Sequence, residues 1–286
     1  MRPDAADTAR RYDAWMARHA LSETLAPLRA VVLPWVARCA PEGATAKHHA
    51  LAAADLALFI FYLDDLDGPD EPRRFDDAAR VLDGAAPEAD ASPLLRGWHG
   101  LLAEMRATGR DTTRYLADRR DALRAWRVRN DARRRGARWT VSSWLELRGT
   151  TIFMRPWMSL WELLLGCALD DTARAHTALE SAVAATCRWQ ALYNEVASVE
   201  RDRAKGETNV VLLVMRDEGL DMGEAVARVR AMAAVTRRAF DTAAQDALRA
   251  LPTEAVRAYV DALRVSIDGA VAHYADRHDR YGRVAA

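Results

Sequence analysis

The sequence predicts an all-α protein, a single helical bundle over residues 1–286, and three observations lead there. Apolar residues recur at three and four positions, the signature of helix faces packed on a core, with few alternating β-branched runs. Alanine, leucine and arginine, all strong helix formers, dominate, and glycine is held to 14 residues. Half the residues are hydrophobic, enough for a sizeable core at this length.

Taken in order, the pattern predicts helices over 8–19, 22–39, 47–66, 91–107, 111–134, 138–155, 157–168, 171–204, 208–217, 221–250 and 253–281. Pro41 and Gly43, the Gly68–Pro72 segment, the Gly84–Pro93 stretch, Gly219 and Pro252 punctuate them. No repeat or low-complexity linker divides the chain, so the helices are expected to pack around one another. Bundle cores are common places to build metal and ligand sites.

Composition excludes several function classes. Basic and acidic residues balance at 41 each, so there is no overall field to draw in nucleic acid or an anionic membrane. The basic stretch from Arg119 to Arg138 is interrupted by Asp121 and Asp131 and reads as a solvated helix face rather than a nucleic-acid surface. No run approaches the ~20 apolar residues of a membrane span, and the opening segment lacks a stretch of signal-peptide length, so a cytoplasmic protein is expected. Cys39, Cys167 and Cys187 are isolated, read as buried small hydrophobes, and signal neither a disulfide framework nor a zinc site.

Two polar clusters break this apolar pattern. Leu51–Leu63, LAAADLALFIFYL, reads as a buried helix that runs directly into Asp64, Asp65, Asp67, Asp70 and Glu71. Acids at a helix C-terminus cost stability unless a cation neutralises them, and Asp64 and Asp67 share a face suited to a hard cation. A solvated acidic loop is the alternative. Further on, Asn194, Ser198 and Asp202 are spaced by four, drifting only about 40° per step on one helix face. An amide oxygen, a hydroxyl and a carboxylate form a donor set that magnesium accepts when phosphate and water complete its shell; an exposed polar helix face is the alternative.

These residues resemble the class I terpene synthases of bacteria over most of the chain. FIFYLDDLD, Phe59 to Asp67, is similar to the aspartate-rich motif, with Phe61 as the aromatic three residues before it. Asn194 to Asp202 is similar to the second metal motif, continued by Gly206 to Val211, and Arg280-Tyr281 resembles the pair that closes over diphosphate. Arg148, 46 positions before Asn194, stands where the family has its diphosphate-sensing arginine, with Thr151 and Ile152 at the linker and effector positions. Arg201 matches a further basic residue of the second motif.

The resemblance implies a class I terpene synthase fold and ionisation of a prenyl diphosphate. Mg2+ would be held by Asp64, Asp65, Asp67, Asn194, Ser198 and Asp202, and diphosphate by Arg148, Arg201, Arg280 and Tyr281. Phe61, Thr151, Ile152, Phe153, Trp157, Trp189 and Tyr193 are the candidate cavity lining, since ring faces stabilise a passing cation without attacking it. Family members also form antiparallel dimers, so a homodimer is among the expected states.

Three departures stand out. The aspartate motif is compressed to Asp-Asp-Leu-Asp-Gly, a form found in some bacterial diterpene synthases; this tilts the expected substrate to a C20 diphosphate, linear or bicyclic, with farnesyl diphosphate as the alternative. Asp202 replaces the usual glutamate, and Tyr274 stands where many members have tryptophan. A prenyl-elongating synthase would carry a second aspartate-rich motif where this chain has Asn194 to Asp202, a nucleotide pyrophosphohydrolase would need clustered glutamates, and a non-enzymatic nucleic-acid-binding bundle would rely on the interrupted basic stretch.

Overall fold

Helix-stop and helix-start chemistry sets the boundaries. The computed structural model describes residues 3–60, 71–167 and 169–275 and contains thirteen helices among them, with no strand. They are α1 (Ala5–Arg18), α2 (Ser22–Cys39), α3 (Ala46–Phe59), α4 (Glu71–Leu82), α5 (Pro93–Arg106), α6 (Thr113–Arg134), α7 (Val141–Thr151), α8 (Met154–Leu165), α9 (Asp171–Ala175), α10 (Thr177–Lys205), α11 (Val210–Glu218), α12 (Met222–Ala250) and α13 (Glu254–Ala275). Thr45, Thr140 and Asp221 start α3, α7 and α12 through capping boxes with His48, Ser143 and Glu224, which satisfy N–H groups the helix cannot use. Gly206 and Gly219 end α10 and α11 in the left-handed conformation that glycine adopts without steric cost.

Helix α10 is the spine. It packs along α12 and touches α7, α8, α11 and α13, while α3 lies against α1, α2 and α5. α3 is buried on every side from His49 to Phe59, as its apolar run requires. α13 crosses α2 closely at Gly269, where a Cβ would collide with the Arg38 carbonyl. No described helix is long and apolar enough to cross a membrane.

The structure departs from the predicted helix pattern at three places. α4 was not expected, because half of EPRRFDDAARVL is charged; its buried Phe75, Ala78, Val81 and Leu82 nevertheless make a narrow apolar stripe. The 171–204 segment divides at His176, which is extended and caps α10 with its own side chain. The break between α7 and α8 falls at Phe153, not at Pro156, because proline is tolerated in the first turn of a helix. Cys39 and Cys187 are buried as expected, whereas Cys167 is exposed. Arg119, at the start of the supposed solvated basic face, is buried in α6.

Candidate active site

An apolar cleft runs down the bundle between α3, α6, α7, α8, α10 and α13, enclosing about 1000 Å3 of space with its open mouth included. Its floor and sides carry Phe59, Trp126, Phe153, Met154 and Trp157; its polar rim carries Arg148, Asn194, Arg201 and Asp202. Thr151 and Ile152 also line it. Trp189 and Tyr193, expected in the lining, are not among the lining residues. They precede Gln190 and Asn194 by one residue, a helical offset of about 100°, and stack on each other at 4.7 Å between centroids. Phe61, Asp64, Asp65, Asp67, Arg280 and Tyr281 lie outside the described residues.

The rim is built on a carboxylate that the spacing arguments passed over. Buried Glu195 accepts from Arg148 Nε at 2.7 Å through one oxygen, and from Trp144 Nε1 at 2.9 Å and the Val210 amide at 2.7 Å through the other. It therefore ties α10 to α7 and to the first turn of α11. Arg148 uses one N–H of Nη1 on Thr151 Oγ1 at 3.0 Å and one of Nη2 on Asn194 Oδ1 at 2.9 Å, which leaves one N–H on each terminal nitrogen. Its planar guanidinium is thus fixed at the rim by three partners. Asn194 in turn donates to the Tyr274 hydroxyl at 3.1 Å, which joins α13 to the network.

About two helical turns along α10, Asp202 Oδ1 takes two bonds from Arg201, at 3.0 and 2.8 Å. Its Oδ2 receives the Ser198 hydroxyl at 2.6 Å and Asn209 Nδ2 at 2.9 Å. Asn209 also caps α11 by accepting from the Val211 amide, and donates to the Glu195 carbonyl at 2.8 Å. Gly206 makes this possible, because its left-handed turn folds the chain back so that Asn209 returns to α10. Also lining the cleft, Arg129 pairs with Glu207 at 3.1 Å, both largely buried.

The donor chemistry suits a hard divalent cation. The Asn194 amide oxygen, the Ser198 hydroxyl and the Asp202 carboxylate are all oxygen ligands on successive turns of one helix, and Asn194 and Asp202 face the cleft. Ser198 sits behind them. Among the described residues no cluster of three or more His, Cys, Asp or Glu side chains forms.

At the floor, Phe153 adopts φ 73°, a left-handed conformation that costs a non-glycine residue about 1–2 kcal/mol. Its ring stacks on Phe59 with centroids 3.9 Å apart. Trp126 donates to the Thr151 carbonyl at 3.2 Å and holds the end of α7. Beneath, Asp55 of α3 forms an ion pair with Arg119 of α6, and Tyr115 donates to Asp55 at 2.6 Å. Burial pushes the Asp55 carboxyl above its usual range, against the pull of Arg119 and the Tyr115 hydroxyl.

A helical bundle with an apolar, aromatic cleft, an arginine-lined rim and hard oxygen donors defines a protein that takes an anionic head group on an apolar body. Comparison with known proteins agrees. The model of terpene synthase family 2, C-terminal metal binding, matches residues 55–239. The chain is 32% identical over 233 residues to (12E)-labda-8(17),12,14-triene synthase of Streptomyces cyslabdanicus, covering 74% of this chain and 69% of that protein. It is 29% identical over 192 residues to pentalenene synthase of Streptomyces avermitilis, covering 62% and 55%. The crystal structure of linalool/nerolidol synthase from Streptomyces clavuligerus superimposes with a TM-score of 0.82 at 26% identity, covering 96% of each chain. The chain belongs to the terpene synthase family and is a class I terpene synthase of the bacterial type, a lyase.

Proposed function

We propose that residues 1–286 act as one catalytic domain that ionises a prenyl diphosphate with magnesium and cyclises the resulting cation, with a C20 substrate favoured. The observation that carries this reading is the rim geometry. Arg148 is held by Glu195, Thr151 and Asn194 at the edge of an aromatic cleft, beside the Asn194–Ser198–Asp202 stripe. Asn194, Ser198 and Asp202, with the acids at Asp64, Asp65 and Asp67, would hold the metal. Bound there, magnesium would neutralise charge on the departing diphosphate oxygens.

The chain's own groups account for the rest. Arg148 and Arg201 present permanently charged forks to diphosphate oxygens, and Arg280 and Tyr281 are assigned to the same anion from the sequence. As the C–O bond breaks, its electron pair leaves with diphosphate and the positive charge stays on the allylic carbons. The cleft excludes water that would quench the cation, and Trp126 and Trp157 offer ring faces to it. A double bond of the same chain then attacks the cation to close a ring, and loss of a proton or capture of a water admitted at the end completes the sequence.

The C20 preference rests on the compressed aspartate motif and on the relative named for a labdatriene, a bicyclic C20 hydrocarbon. Farnesyl diphosphate is the second substrate to test. Incubation with C10, C15 and C20 linear diphosphates and a bicyclic C20 diphosphate, with magnesium or EDTA, followed by mass spectrometry of the extract, tests the reading. A cyclic C20 product lost with EDTA is expected. A C15 product would move the substrate to farnesyl diphosphate, and no product from any of the four would overturn the proposal.

A further inference from the structure

The floor of the cleft holds a charged pair that binding and ionisation of diphosphate do not use. Asp55 and Arg119 are both almost completely inaccessible, and Arg119 Nε donates to the Tyr115 hydroxyl at 3.1 Å. Arg119 Nη2 contacts Asp55 Oδ1, while Nη1 and Asp55 Oδ2 make no hydrogen bond among the described residues. A buried pair satisfied this poorly is a weak stabiliser, since well-packed apolar residues would hold α3 against α6 as well or better.

Its position offers a different reason for it. The Arg119 guanidinium carbon lies 4.1 Å from the centroid of Phe153 and 5.7 Å from that of Phe59, while the two rings stack on each other and both line the cleft. Phe153 is also the residue in the left-handed conformation at the α7–α8 break, two positions after Thr151, which Arg148 holds. Strained backbone of this kind persists only where its surroundings over-determine it. A cation over the ring supplies a directional attraction that an aliphatic side chain does not. A cation beside the ring also makes the Phe153 π system less able to stabilise a carbocation in the cleft, and the floor becomes a place the cation avoids.

Resting on the terpene synthase reading above, we propose that the Asp55–Arg119 pair is a specificity-determining positioning element, which fixes the Phe59–Phe153 floor and so selects how the carbon chain folds and where its cation resides. The pair does not touch substrate and acts through the two rings.

The test compares wild type with Asp55→Leu/Arg119→Met, which swaps the pair for apolar bulk, and with Asp55→Asn/Arg119→Gln, which keeps polar bulk without charge. Thermal melting and product profiles by gas chromatography and mass spectrometry are read on the same preparations. Folded double variants are expected to keep turning over substrate while the ratio of main to early-terminated products falls about tenfold, equivalent to about 1.4 kcal/mol between competing transition states. Arg119→Lys, which keeps a cation at the ring, is expected to stay within about threefold of wild type. Unchanged profiles in folded double variants overturn the proposal. So does failure of both to fold, which would make the pair a requirement of the fold, and so does a Lys variant as altered as the doubles, which would assign the effect to shape. Wild type that yields no product from any prenyl diphosphate fails separately, overturning the functional reading and this inference with it.

Discussion

Two buried arginine–carboxylate pairs bracket the cleft, and they are satisfied in opposite ways. At the rim, each group of the pair is well partnered: Arg148 donates to three partners and Glu195 accepts from three, including a main-chain amide. At the floor, one Arg119 nitrogen and one Asp55 oxygen make no hydrogen bond among the described residues, and the arginine faces rings. A well-partnered network fixes one geometry, which suits a group that must meet diphosphate oxygens at hydrogen-bond distance. A cation over a ring fixes a surface, which suits a wall that shapes an apolar chain. The comparison teaches that burial of a charge has no single meaning; its partners decide what it does.

The rim gives the largest expected effects. Glu195→Ala leaves the Trp144 and Val210 N–H groups and the Arg148 guanidinium without their shared acceptor, so stability is expected to fall by about 3–5 kcal/mol in chemical denaturation. Catalytic efficiency should fall at least about 100-fold in steady-state kinetics, because Arg148 loses its orientation. A variant with normal stability and activity would remove Glu195 from the centre of the network. Asn194→Ala and Asp202→Ala are expected to lower turnover at least about 100-fold and to raise the magnesium needed for half-maximal rate, and Asp202→Ala to lose about 1–3 kcal/mol of stability as well, because Ser198 and Asn209 lose their buried acceptor.

Much of the rim was legible in the sequence and the floor was not, for a physical reason. Asn194, Ser198 and Asp202 announce themselves through helical period alone, and Arg148 through its distance from them within the family pattern. Glu195 stands between two of these landmarks, yet the spacing of four runs past it; its position facing α7 becomes visible only once α7 and α11 are docked on α10. The Asp55–Arg119 contact spans α3 and α6, and Arg119 opens a stretch of arginines most of which are exposed, so composition favoured a solvated face. The break at Phe153 carries neither glycine nor proline, and hence no local signal; tertiary contacts to Phe59, Trp126 and Arg119 impose it.

Smaller effects sharpen the contrast. Asn209→Ala removes the α11 cap and one donor to Asp202; a loss of about 1–2 kcal/mol and about tenfold in turnover is expected, measured by melting and kinetics. Equal loss in a variant at an unconnected cap, such as Asp221→Ala, would show that only capping matters. At the floor, Asp55→Leu alone should destabilise by about 3–5 kcal/mol, whereas the Asp55→Leu/Arg119→Met double variant should fall within about 1 kcal/mol of wild type in the same denaturation assay. Gly206→Ala, which forces a left-handed alanine at the end of α10, should cost about 1 kcal/mol, or about 2–4 °C in melting temperature.

The central claim is that the rim releases diphosphate in a metal-dependent reaction. The most direct measurement is the rate of inorganic diphosphate release from the C20 substrate, with magnesium or with EDTA, for wild type and Asn194→Ala. Release that needs magnesium and falls at least about 100-fold in Asn194→Ala is the expected result. Release that survives EDTA, or proceeds at the wild-type rate in Asn194→Ala, would contradict the account.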